Sequence, residues 1–277
     1  DAVSLPPNFI DTKETREHWA RYLTDITGMD EEMGRIYDFA KKRFGDNFIF
    51  LFTSDHGGQW PLGKWNLYDS GTRIPLVAVW PGHIEAGLRT DAMVSWVDIL
   101  PTLIELAGGD APRNIDGRSF APVLLGKSGK HRDKIFTTHT GDGAMNIFPI
   151  RSVRVGKFKY IHNLRHDVWH TNHSDRHRKD GAGAYWHSWD EAARSNPKAA
   201  AIIKRYYTRP EFELFDLEKD PLEFNNLAAK PQHQDRLATL RGELQAWAKA
   251  QGDDLLPHRE PYPTSKPLPN LPPRKKR

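Results

Sequence analysis

The stretch NFIFLFTSDHGG, residues 47–58, decides how this chain is read. Its first half is a continuous apolar run of strand length, too short for a helix. Such a run suits a central parallel strand covered on both faces. Upstream, residues 11–44 carry apolar side chains at Trp19, Leu23, Ile26, Met29, Met33, Ile36 and Ala40. Steps of three and four predict an amphipathic helix. Asp11 or Thr12 is placed to cap it, Glu14 lies in its first turn and Gly45 ends it. Helix, buried strand and polar loop in succession are the pattern of an α/β fold. In open α/β sheets functional groups collect at the carboxyl ends of strands. Asp55 and His56 stand at that end.

Working outward, IPLVAVW (74–80) predicts a second buried strand, closed by Pro81-Gly82. A helix is expected over 97–107, ended by Gly108-Gly109, and a strand over 134–139 runs into the loop TGDGAMN. SVRV and KFKYIHN read as a hairpin around Gly156, and EFELFDL as another strand before the turn EKDP. The last helix, 231–250, sets Leu237, Leu240, Leu244 and Trp247 on one face. From Pro257 on, seven of 21 residues are Pro and the chain ends RKKR, the composition of an extended tail. Buried α/β runs give way near residue 150 to hairpin, polar loop and amphipathic helix. The expected division is therefore 1–150, 151–256 and 257–277.

The 277 residues suit one large domain, or one domain with a smaller companion. The net charge of +4 and pI of about 9.1 are mild. They fit an acidic substrate and do not call for nucleic acid, for which no binding motif is found. There are no cysteines, which excludes disulfides, thiolate zinc sites and a cysteine nucleophile within these residues. No stretch reaches the apolar length of a membrane span. The first residue is Asp and no signal peptide is visible, so the natural start is expected upstream.

Asp55 and His56 are followed by Lys64. Carboxylate and imidazole are both metal ligands, and Gly57-Gly58 would let neighbouring side chains splay into one site. A dication there would hold an anionic oxygen, and the Lys64 ammonium would add a point charge for the same anion. That is equipment for transferring a phosphoryl or sulfuryl group. The plainer alternative is a turn capped by Asp55 with His56 on the surface.

TSDHG and the following GKWNLYDSGTRIPLVAVWPG resemble the C-terminal half of a type I sulfatase catalytic domain, in the alkaline phosphatase superfamily. TSDHG alone is shared with phosphodiesterases and phosphomutases of that superfamily; the longer segment is more specific. The resemblance continues through VDILPTLIELAG, DGRSFAPVLLG, FPIRSVRVGKFKYIHNL and FELFDLEKDPLEFNNLA, covering about residues 10–250. Within the family, the chain resembles heparan N-sulfatase and similar bacterial glycan sulfatases. The resemblance implies an alkaline-phosphatase-like mixed or parallel sheet between helices, present in part. A C-terminal subdomain with a small antiparallel sheet and a packed helix would follow. It implies a calcium-dependent hydrolase of sulfate esters or sulfamates on glycans, with a formylglycine nucleophile made from a C/S-x-P-x-R motif. Asp55 and His56 match the later pair of calcium ligands, with His where Asn is commoner; the softer imidazole bears on metal preference. Lys64 matches the residue that contacts sulfate and the leaving oxygen. No C/S-x-P-x-R motif and no early Asp pair occur in these residues. The chain alone is accordingly expected to be inactive, and the parent protein to be periplasmic or secreted.

His139, at the end of a predicted strand, is placed on the rim of the site and expected to touch substrate or leaving group; the alternative is a strand-end histidine bonded to backbone. Trp60, Trp65 and Tyr68 could stack on sugar rings or simply pack the loop. Arg73 is expected to pack and hydrogen-bond the loop, and Asp69 to sit in a turn. Six of the 13 histidines fall within 162–187: His162, His166, His170, His173, His177 and His187. The segment reads as a long polar insertion. A zinc site is the sharper reading, and contact with an acidic glycan through Arg165, Arg176, Arg178 and Lys179 is another. Two further readings stand beside the sulfatase: a phosphodiesterase or phosphonate monoester hydrolase, and a non-catalytic module that binds sulfated glycans.

Overall fold

The structure is a computed structural model that describes residues 3–142, 146–179 and 181–256. The Pro-rich tail and the centre of the TGDGAMN loop lie outside the described residues. Helix α1 (Lys13–Phe44) begins where Thr12 Oγ1 accepts the Thr15 N–H at 3.1 Å. It ends at Gly45, whose φ of 69° suits a residue without Cβ and whose N–H donates to Lys41 O. Strand β1 (Phe50–Thr53), the single turn α2 (Asp69–Thr72) and strand β2 (Leu76–Val79) follow.

The sequence predicts parallel strands here, and the structure corrects that. β1 and β2 pair antiparallel, with Phe50 opposite Val79 and Thr53 opposite Leu76. No parallel pair occurs among the described residues. An apolar run reports burial, not the direction of its partner, and the 54–75 connection contains no crossover helix of the kind parallel pairing needs. Burial also falls short of the expectation. All four β1 residues are half-buried, Thr15 is the buried residue of α1, and Leu23, Ile26, Met29 and Ile36 on its apolar stripe are exposed.

Helix α3 (Ile99–Leu106) is entered through a 3-10 turn at Trp96–Asp98. The buried Asp98 carboxylate there accepts from Arg132, from His131 and from the Ser95 and Arg118 backbone. After the turn α4 (Ala121–Leu124) come β3 (Lys134–His139), β4 (Ile150–Val155) and β5 (Phe158–Asn163). These join β6 (Phe212–Asp216) in one antiparallel sheet of order β3-β4-β5-β6. The β4–β5 hairpin turns at Gly156, φ 54°. Helix α8 (Gln234–Ala250) lays Leu240 and Leu244 on Val153, Tyr160 and Leu214, and stacks Trp247 on Phe136 with ring centroids 4.9 Å apart.

Between β5 and β6 the sequence suggests a polar insertion. The structure folds it into α5 (His173–Arg176), α6 (Trp186–Ala193) and α7 (Pro197–Tyr207). Trp186, Trp189, Tyr185 and Tyr206 are fully buried and meet Phe9, Ile10 and Trp60 in one core. Aromatic surface of this size outweighs the polar residues flanking it. No helix among the described residues is long and apolar enough to cross a membrane.

Candidate functional site

Residues 54–72 leave β1, fold back on themselves and return to β2. Glycine matters here through close approach rather than φ: a Cβ on Gly57 would overlap Ser70 O, and one on Gly71 would overlap Asn66 O and Gly63 O. The Gly57 N–H donates to Gly71 O, and those of Gly63 and Lys64 donate to Trp60 O and Gly58 O, each at 2.9 Å. Leu62 and Trp65 have φ of 68° and 63°. For side chains of this bulk that is strained backbone, which persists where the surroundings hold it.

The holding groups come from the antiparallel sheet and from the segments on either side of β6. Arg209 Nη1 donates to Tyr68 OH at 2.9 Å and Nη2 to Asn66 Oδ1 at 3.0 Å. Tyr68 OH donates to Glu213 Oε2 at 2.8 Å, and burial pushes its pKa far up, so it remains a phenol. Lys159, almost fully buried, bridges Asp69 and Glu223, and Glu223 accepts the Asp69 N–H at 2.6 Å. Asp69 is thus an ion-pair anchor as well as a turn residue. Tyr68 and Trp60 are buried, the latter in the aromatic core, so neither is open to a sugar. Arg73 is exposed.

Asp55 lies at the open side of this loop, its side chain 77% exposed, with Oδ2 3.1 Å from His56 Nε2. His56 Nδ1 is 2.8 Å from Gly57 O, so that nitrogen carries the proton in the neutral ring. Nε2 then presents a lone pair toward a carboxylate oxygen. Two acceptors facing each other call for a positive species between them, a proton or a metal. A backbone carbonyl on the far ring nitrogen is also how metal-binding histidines are oriented. The pair therefore fits a dication. It supplies two of the roughly six to eight donors that calcium takes, and no group of three or more His, Asp or Glu suited to a metal exists among the described residues.

Lys64 is half-buried, its Nζ 5.2 Å from the Trp65 ring centroid. Two histidine rings lie near Trp65: His173 4.5 Å away, and His139 6.3 Å away and nearly parallel. His139 Nε2 donates to Asn146 Oδ1 at 2.6 Å, and burial lowers its pKa. Asn146 in turn donates to Thr171 O. The ring of His139 thus braces Trp65 with one nitrogen committed.

The sequence did not place α5 here. Asn172 Nδ2 donates to Lys64 O and Ser174 Oγ to Gln59 O, both at 3.3 Å. Burial, and next the Lys64 charge, lower the pKa of His173, with His177 and His56 adding to the effect and Asp142 opposing it. His173 and His177 stack at 5.2 Å. The six histidines do not converge as a zinc site: His170 is buried beside Phe148 and Tyr206, whereas His166 and His187 are exposed. Arg178 is buried against Asp190 and Tyr207, which removes it from any glycan surface.

The sulfatase family model matches residues 5–109, and the model for the C-terminal part of N-sulphoglucosamine sulphohydrolase matches residues 58–182. The chain belongs to the sulfatase family. An ulvan-active sulfatase of Formosa agariphila is 30% identical over 254 residues, covering 89% of this chain and 45% of the relative. Human N-sulphoglucosamine sulphohydrolase is 27% identical over 256 residues, covering 88% of this chain and 50% of the relative. The chain therefore spans half or less of the length of these relatives. In fold it is similar to BT4656, solved with its substrate D-glucosamine-2-N,6-O-disulfate, at a TM-score of 0.63 and 24% identity. That match covers 86% of this chain and 42% of BT4656. It is also similar to the phosphonate monoester hydrolase of Agrobacterium radiobacter, at a TM-score of 0.55 and 27% identity, covering 82% and 40%. That family lies within the alkaline phosphatase superfamily.

Proposed function

We propose that this chain is the anion- and metal-holding part of a sulfatase that hydrolyses sulfate esters or sulfamates on glycans. The observation that carries this is that one loop, held by the Lys159–Asp69 ion pair and the Arg209–Tyr68 hydrogen bond, bears Asp55, His56 and Lys64. Asp55 and His56 would hold calcium, which when bound supplies positive charge to a sulfuryl oxygen. Lys64 holds a second anionic oxygen and stabilises the charge that grows on the departing oxygen or nitrogen. His139 braces Trp65 and so fixes the wall beside Lys64. The formylglycine nucleophile is assigned to residues other than these, since no C/S-x-P-x-R occurs in the chain. The division expected at residue 150 would part β3 from β4, its partner in one sheet; in this reading the residues before β3 complete the α/β sheet of the catalytic domain, the β3–β6 sheet and α8 form its C-terminal subdomain to residue 256, and the whole protein works in the periplasm or outside the cell.

Turnover assays on the purified chain test this. The chain alone is expected to release no sulfate from sulfated oligosaccharides. A protein that also carries the formylglycine segment is expected to release it and to lose that activity to a calcium chelator. Sulfate release by the chain alone would refute the division of labour. A second reading, hydrolysis of phosphonate monoesters, is favoured by the likeness to the Agrobacterium enzyme. Faster turnover of a phenylphosphonate monoester than of a sulfate ester would select it.

A further inference from the structure

The sequence treats residues 162–187 as separate from the Asp55–Lys64 loop, but α5 is fastened to it. Besides its two hydrogen bonds to the loop backbone, α5 is fixed from below. The Asn172 side chain accepts the Ser174 N–H at 2.8 Å, and Tyr206 OH donates to Asp175 Oδ1 at 2.6 Å. His173 consequently has a set position, against the Trp65 ring and within electrostatic reach of Lys64, His56, His177 and Asp142. Nothing in the core of the fold requires an imidazole there.

The two ring nitrogens of His173 are not equivalent. Nδ1 is buried with no hydrogen-bond partner among the described residues. An orphaned N–H in a dry position is rarer and costlier than an orphaned lone pair. The proton therefore belongs on Nε2, and the neutral ring is a directional donor. A neutral donor and the Lys64 ammonium, both against the Trp65 ring, make a two-part site. The ammonium takes an anion from any direction, and the imidazole takes an uncharged oxygen at one place. The Trp65 ring joins the two groups: the His173 ring lies 4.5 Å from its centroid and Lys64 Nζ 5.2 Å from it.

We propose that His173 is a substrate-binding residue that recognises the alcohol portion of the sulfate ester, donating from Nε2 to a hydroxyl or ring oxygen of the sugar while Lys64 holds the sulfuryl oxygens. This rests on the sulfatase reading of Lys64. It assigns to α5 the discrimination between a sulfated sugar and sulfate itself.

The test is binding by the whole chain with calcium present, using two probes, inorganic sulfate and glucose 6-sulfate. His173→Ala is expected to raise the Kd for glucose 6-sulfate about five- to tenfold, the loss of one hydrogen bond. It should leave the Kd for sulfate within about twofold, the scatter of a surface change. His173→Gln, which keeps an N–H donor, should recover most of the loss, and unchanged circular dichroism establishes that both variants fold. In nitrogen NMR of the wild type, glucose 6-sulfate should move the His173 Nε2 resonance and sulfate should not. Equal weakening of both probes, or of neither, by His173→Ala overturns the proposal. Lys64→Ala should weaken both probes. If it weakens neither, or if wild type binds neither, the sulfatase reading of Lys64 fails and this proposal fails with it.

Discussion

Strands β1 and β4 make an instructive pair. β1 is FLFT, apolar for three residues of four, and every residue is half-buried. β4 is IRSVRV, with two arginines and a serine, and its first four residues are buried. The less apolar strand is the better covered. Burial is decided by what lies over a strand. α8 and the neighbouring strands cover β4, whereas β1 has one partner strand among the described residues and an α1 whose apolar stripe is half open. The antiparallel sheet makes its own core and also seats the site loop, whose Leu62, Leu67 and Tyr68 pack with Ile150, Ile161 and Phe215, whereas α1 and β1 leave apolar surface open.

The comparison predicts unequal costs for large-to-small changes. Trp186→Ala, in the fully buried aromatic core, should cost about 3–5 kcal/mol in urea unfolding. Ile36→Gln on α1, where the side chain is 57% exposed, should stay within about 0.5 kcal/mol. Equal costs would break the contrast. Tyr68→Phe sharpens it by removing one polar anchor. It takes the hydroxyl partner from Glu213 Oε2 and Arg209 Nη1 and should cost about 1–3 kcal/mol. Faster hydrogen exchange at the Gly57 and Gly71 amides would locate the damage in the site loop; unchanged exchange would mean that the loop is held some other way.

The smallest expected effect is a pH dependence. Burial, with Arg209 and His139 adding, holds the His170 pKa well below its ordinary value. Its folded pKa is depressed, so the unfolded chain binds the extra proton first. The contribution is complete above the unfolded value of about 6.5 and is lost as pH falls below it. Between pH 7.5 and 5.5 the wild type should lose about 1 kcal/mol more than His170→Phe, read from urea midpoints at each pH. Parallel profiles would show that His170 titrates normally.

Much of this architecture is legible in the sequence because local chemistry fixes it. Thr12 and Gly45 bound α1, Lys134–His139 spans β3 as expected, and Gly156 turns the β4–β5 hairpin. Asp55, His56 and Lys64 can be read together because one short loop carries them. Strand direction was not legible, since an apolar run says nothing about its partner. The α6–α7 core was hidden because Trp186, Trp189 and Tyr206 are spaced among Asp, Arg and His that mimic a solvated loop. His173 was out of reach for another reason: Asn172 and Lys64, which join the two segments, are 108 residues apart.

The most direct test of the site is the effect of Lys64→Ala on sulfate release from a sulfated oligosaccharide, measured in the protein that also carries the formylglycine segment. Loss of a preorganised positive charge from the reacting group should lower kcat/KM about 100-fold or more, with folding unchanged. An unaltered kcat/KM would contradict the assignment of Lys64, and with it the claim that this loop is where sulfate is held.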